Sequence, residues 1–240
     1  MGSFLSRLRT PAYILADLGA TPFIVLVALL ARLRKSEKKE RNEISIVWGS
    51  IPILNYSYWS RSMKPVVLKS ETFMENWYGI NSRDDFDKVL QDEYRWFPLR
   101  LRPYLAFCLS LSRYDVLVTS FRGYFLSTPL LSRIQSGLLK LSRIKIVVIP
   151  YGGDSYVYRR VRSVGLQHGL LRSYPRAARR QKSIARRVEY WTQRADVLIP
   201  GIMSPDGFGR SDVPIPSPLC IDTEQWSPKL KYSGANARFE

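Results

Sequence analysis

Two short stretches hold residue types suited to chemistry. The first is Tyr151-Gly152-Gly153-Asp154, directly after the apolar run Lys145–Pro150 (KIVVIP) and followed by Tyr156 and Tyr158. Paired glycines permit turns with φ > 0, and an aspartate there can accept hydrogen bonds from sugar hydroxyls or act as a base. A turn in which Asp154 caps the next helix would use the same residues. The second stretch, Gly49-Ser50, follows the run Ile44–Trp48 (ISIVW). A glycine at that point lets backbone approach a ligand, and a helix starting beyond it would favour a phosphate. It lacks the full GxGxxG pattern, and a strand-ending turn accounts for it equally well.

A third feature is charge. The chain carries a formal net charge of +17, and the Arg159–Arg194 segment holds Glu189 as its only acid. Within it, Arg172, Arg176, Arg179, Arg180, Lys182, Arg186 and Arg187 are not interleaved with acids as on an ordinary solvated helix face. Phosphate is the expected contact: lipid headgroups, a lipid-linked diphosphate or nucleic acid. No recognised nucleic-acid motif accompanies the run. His168, in Gln167-His168-Gly169, has no evident carboxylate or cysteine partner and reads as structural. One histidine and two cysteines in unrelated contexts, Cys108 and Cys220, argue against a zinc site and a disulfide framework, and for a reducing compartment.

The elements that must hold these residues follow from hydropathy. Ile44–Trp48, Pro65–Lys69, Asp115–Ser120, Lys145–Pro150 and Asp196–Pro200 read as buried strands. Helices are expected over Asn55–Met63, Ser82–Arg95 and Thr128–Leu141, and as one long basic helix after Pro175. Continuous apolar strands separated by helices predict an α/β fold: a doubly wound, mostly parallel, Rossmann-like sheet. Function in such a sheet sits at the carboxyl ends of the strands. The loops Gly49–Pro52, Ser120–Tyr124 (with Arg122), Tyr151–Asp154 and Gly201–Pro205 are therefore expected on one rim, with the Asp154 charge presented there.

The amino terminus is different. Phe23–Ala31 (FIVLVALLA) is uninterruptedly apolar and is followed by Arg32, Arg34, Lys35, Lys38 and Lys39. The run is too short to span a bilayer alone, and no small-residue cleavage site follows it. Basic residues directly after it favour membrane contact, as an interfacial helix or a re-entrant hairpin broken at Gly19–Pro22. A buried core helix is the alternative.

In order and spacing, "IVWGSIP…N" (ending at Asn55), "YDVLVTS", "KIVVIPYGGD", "RADVLIPG" and "PSPLCIDTEQWSP" resemble the amino-terminal domain of GT-B glycosyltransferases of the glycogen-synthase-like, retaining group. The resemblance covers residues 44–228. It implies residues 1–43 as a membrane-associating segment and linker, 44–228 as an acceptor-side domain, and 229–240 as the start of a linker to a second domain. That second domain would bind the nucleotide-sugar donor, and further polypeptide or a partner subunit would supply it. The implied acceptor is a polysaccharide or a lipid-linked glycan at the cytoplasmic face of the cell membrane, with no cofactor and no metal. Ligand contacts are expected from Gly49, Ser50, Asn55, Arg122, Tyr151, Gly152 and Gly153, with Asp154 as the catalytic candidate. Many members carry a histidine where Tyr151 stands, and tyrosine, with a pKa of about 10, is a poor base near neutrality. Two other readings stay open: a non-catalytic acceptor-binding subunit, and a basic protein that binds nucleic acid or membrane.

Overall fold

Short apolar runs too brief for helices become the strands of one sheet. The computed structural model describes residues 2–35, 40–79, 81–128, 130–200 and 208–213. Its strands are β1 (Ser45–Trp48), β2 (Lys69–Met74), β3 (Lys88–Val89), β4 (Val116–Thr119), β5 (Lys145–Val148) and β6 (Val197–Leu198). They lie in the order β3-β2-β1-β4-β5-β6, and every pairing is parallel. This is the order of a Rossmann-like sheet, with the reversal between β1 and β4. The chain is thus α/β with a six-stranded parallel sheet.

Among the described residues, seven α-helices accompany the sheet: α1 (Gly2–Arg34), α2 (Leu54–Met63), α3 (Arg102–Arg113), α4 (Leu131–Leu141), α5 (Val164–Ser173), α6 (Pro175–Arg179) and α7 (Gln181–Arg194). Strand residues alternate between two cores, as the pleat requires. Ile46, Trp48, Met74 and Val118 pack with Tyr56 of α2 and with Phe86. Val47, Phe73, Leu117, Ile146 and Leu198 pack with α3, α4 and α7. The aspartates that open "DVLV" and "DVLI" clamp register. Asp115 accepts a hydrogen bond from the Ser45 N–H of β1 at 3.0 Å, and Asp196 accepts one from the Ile146 N–H of β5 at 2.8 Å.

Several expected elements differ. The second strand is Lys69–Met74, and 65–68 forms turns. Pro65 lacks the N–H a ladder needs, whereas Ser70–Met74 are all buried. The expected helix over Ser82–Arg95 is a capped single turn at Arg83–Asp85, then β3 and further turns. Ser82 and Asp85 do form the capping box of a helix start, but Asp87 turns back to the backbone and hydroxyl of Thr72 at 2.8 and 2.9 Å. That pairing draws the chain alongside β2. The long basic helix after Pro175 is broken at Arg180 into α6 and α7. Helices α3 and α5 have no counterpart in the sequence reading. The Gly201–Pro205 loop, Cys220, the "PSPLCIDTEQWSP" stretch and the 229–240 linker lie outside the described residues.

Helix α1 runs unbroken through Gly19 and Pro22, so the hairpin alternative is replaced by a single helix; the Thr21 hydroxyl donates to the Asp17 carbonyl at 2.6 Å. Its Ile14–Arg34 part is long and apolar enough to cross a membrane. One face, with Asp17, Ile24, Ala28, Ala31 and Lys35, is buried on the domain. The buried Asp17 carboxylate accepts from the Tyr104 hydroxyl at 2.9 Å and from the N–H groups of Leu130 and Leu131, at the start of α4, at 3.2 and 3.4 Å. At the other end, the Lys35 ammonium donates to the Tyr114 carbonyl at 2.5 Å. The opposite face leaves Leu15, Leu18, Phe23, Leu26, Leu30 and Leu33 exposed. Between residues 14 and 34, one narrow face of the helix therefore belongs to the core and the rest does not.

Candidate functional site at the strand reversal

Open α/β sheets bind ligands at the carboxyl edge where strand order reverses, and here that point falls between β1 and β4. Gly49, Ser50, Asn55, Arg122 and Tyr151–Asp154 all come to that edge, because the strands before them are parallel members of one sheet. Their side chains have different surroundings. A Cβ on Gly49 would lie 2.1 Å from the Phe73 carbonyl oxygen, so the close approach of β1 to β2 requires glycine. Ser50 is buried: its carbonyl accepts from the Glu75 N–H at 2.7 Å, and its hydroxyl lies 3.4 Å from both the Gly123 carbonyl and the Phe125 N–H. These two residues are framework. Asn55 is half-buried in the first turn of α2.

Asp154 is also turned inward. It is 1% exposed, and its carboxylate accepts from three backbone N–H groups: Phe121 at 2.9 Å, Tyr151 at 3.0 Å and Gly152 at 3.2 Å. Gly152 supplies its N–H from a φ of +120°, a conformation that favours glycine. The carboxylate thus ties the loop after β4 to the loop after β5. Burial pushes its pKa up to about 6, against the restraining pull of those N–H groups. The expectation that its charge is presented on the rim is corrected: the charge lies beneath the rim.

The groups that do face outward at this edge are Arg122, Tyr151, Tyr78 and Glu75. Arg122 and both tyrosines are exposed, and Glu75 is half-buried. The Arg122 guanidinium lies close enough to the Tyr151 phenol for each to shift the other's proton affinity. Burial works against the Arg122 charge, yet Tyr151, Tyr78 and Glu75 around it hold its pKa above the ordinary value. Glu75 is pushed up by burial and pulled partly back by Arg122. Tyr151 is raised by burial and by Asp154, so at neutral pH it is a hydrogen-bond donor and no base. Together these groups offer one fixed cation, two phenols and one carboxyl whose proton affinity is increased. Such a set can orient a hydroxyl-rich or phosphate-bearing ligand and exchange a proton with it.

Glu75 and Tyr78 were missed by sequence reasoning because the second strand was placed over Pro65–Lys69; with the strand at Lys69–Met74, Glu75 stands at its carboxyl end. The basic residues separate into two groups. Arg172, Arg176, Arg179, Arg180 and Lys182 are exposed on α5, α6 and the start of α7. Arg186 and Arg187 face a cleft beside α4. Arg133, which no motif marked, lines the same cleft. His168 is exposed on α5. Among the described residues, no group of three or more His, Cys, Asp or Glu is placed to hold a metal ion. No protein-family model, no curated protein and no solved structure matches this chain.

Proposed function

We propose that the chain is the acceptor-side domain of a membrane-associated GT-B glycosyltransferase, orienting a polysaccharide or lipid-linked acceptor for transfer from a nucleotide sugar held by a second domain. The observation that carries this reading is the cluster of Glu75, Tyr78, Arg122 and Tyr151 at the carboxyl edge of a parallel sheet in Rossmann order. Open α/β sheets bind ligands there. In this reading Arg122 and the two phenols hold the acceptor. Glu75, with its raised pKa, is the group suited to exchange a proton with the acceptor hydroxyl. Asp154 acts as a positioning residue, through the two loops it joins. The exposed apolar face of α1 and the basic residues at its carboxyl end, Arg32 and Arg34, favour attachment to the anionic cytoplasmic face of the cell membrane.

The test is genetic and chemical. Disrupting the reading frame in the producing organism should remove or shorten one glycolipid or polysaccharide, read by mass spectrometry of lipid and polymer fractions. The wild-type frame should restore it, and an Arg122→Ala, Tyr151→Phe double variant should not. Unchanged glycans in every fraction after disruption would overturn the proposal.

A further inference from the structure

A cleft of about 580 Å³ opens between the loop after β4, the first turns of α4 and the amino-terminal half of α7. Arg122, Arg133, Arg186 and Arg187 line it, with Ser132 and Ser183, and among the described residues no carboxylate is in its wall. Among the described residues, the side chains of Arg133, Arg186 and Arg187 form no hydrogen bond or ion pair, and the Arg187 Nε is buried without a partner. Burial, and then the nearby Arg122, push the Arg187 pKa down, and the buried Asp154 carboxylate and Tyr151 pull it only partly back.

Converging cations repel, and a guanidinium N–H out of water without an acceptor is costly. Both costs vanish if an anion occupies the cleft. The donor set also fits one shape of anion: planar guanidinium forks meet tetrahedral phosphate oxygens two at a time, and serine hydroxyls can complete the ring of donors. The position narrows the source. Leu130 and Leu131, adjoining Ser132 and Arg133, are bonded to Asp17 of α1. The α4 wall of the cleft is therefore joined at its start to the helix whose outer face is apolar, and that favours a lipid-borne phosphate.

We propose that this cleft is a binding site for the phosphate or diphosphate group of a ligand, with a polyprenyl-type lipid as the carrier that its neighbourhood favours. The proposal concerns binding alone and stands whether or not the chain takes part in sugar transfer.

The test uses the full chain in a neutral detergent. Inorganic pyrophosphate, titrated calorimetrically, should bind. Arg187→Met should weaken that binding about tenfold or more, the loss of one charge-assisted contact pair. Because Arg187 is partly buried, an Arg133→Gln, Arg186→Gln variant, altered only at exposed positions, serves as a second probe and should show the same loss. Arg172→Gln and Arg176→Gln, outside the cleft, should leave binding within about twofold, which separates a site from diffuse attraction. Phosphatidylcholine vesicles doped with a polyprenyl diphosphate should compete with pyrophosphate, and vesicles doped with the matching polyprenol should not. Competition by the diphosphate vesicles establishes the lipid source. Binding of free pyrophosphate without such competition keeps the phosphate site and overturns the lipid carrier. No pyrophosphate binding, or equal binding by wild type and both cleft variants, overturns the site itself.

Discussion

Asp154→Asn separates an aspartate that does chemistry on a rim from one that holds loops beneath it. The wild-type carboxyl has a folded-state pKa of about 6 against an ordinary 3.8. The folded state therefore binds the proton more tightly than the unfolded chain does. Stability from this group is fully present below pH 3.8 and is lost as pH rises through about 6. At about 1.36 kcal/mol per pH unit the loss amounts to about 3 kcal/mol. Asparagine keeps an oxygen for the Tyr151 and Gly152 N–H groups but turns an amide N–H toward the Phe121 N–H, leaving one bond unmade. That fixed cost is about 1–3 kcal/mol and does not titrate. The stability difference between variant and wild type should therefore move by about 2 kcal/mol in the variant's favour from pH 4 to pH 7, part of the full change lying below pH 4. Urea unfolding of both proteins at pH steps across that range reads this difference directly, with all other titrating groups common to both. Parallel stability curves would refute the reasoning, because they would mean that the Asp154 carboxyl is solvated and free to act on a ligand.

Gly49→Ala should cost at least about 3 kcal/mol in urea unfolding, since the new methyl would sit 2.1 Å from the Phe73 carbonyl oxygen on a rigid strand; stability within about 1 kcal/mol of wild type would show that β1 and β2 are not packed so closely. Leu26→Glu with Leu33→Glu, both on the exposed face of α1, should leave unfolding unchanged and abolish co-sedimentation with phosphatidylcholine and phosphatidylglycerol vesicles alike. Raising salt on the wild type should remove only the excess binding to the anionic vesicles. Undiminished sedimentation of the double variant would contradict membrane attachment through this face.

The parts of the fold legible in the sequence were those encoded by local pattern. Ile44–Trp48, Lys145–Pro150 and the runs around the two "DVL" segments are mostly apolar and too short for helices, so they read as buried strands. The leucine and isoleucine spacing over Thr128–Leu141 read as the helix that forms α4. Parallel pairing followed, because strands buried on both faces need helical crossovers. That in turn brings Gly49, Arg122 and Tyr151 to one edge. The 69–74 strand was illegible because KSETFM alternates weakly and stands beside the more apolar PVVLK. It is a strand because β1 lies along it, and β1 is contributed from elsewhere in the chain.

Residue type and neighbourhood in sequence therefore determined which residues stand at the sheet edge, but not which way they face. Asp154 and Arg122 both follow strands and both carry charge. Asp154 turns inward because Phe121, distant in sequence, presents an N–H to it, and Arg122 turns outward to Tyr151. The same holds for α1: its composition made residues 23–31 apolar on every side, but only its docking through Asp17 and Lys35 onto α3, α4 and the Tyr114 carbonyl decided which face is core. The four arginines of the α4–α7 cleft come from three separate stretches of chain. Charge counting could register their excess, but their convergence exists only once the sheet has brought α4 and α7 side by side.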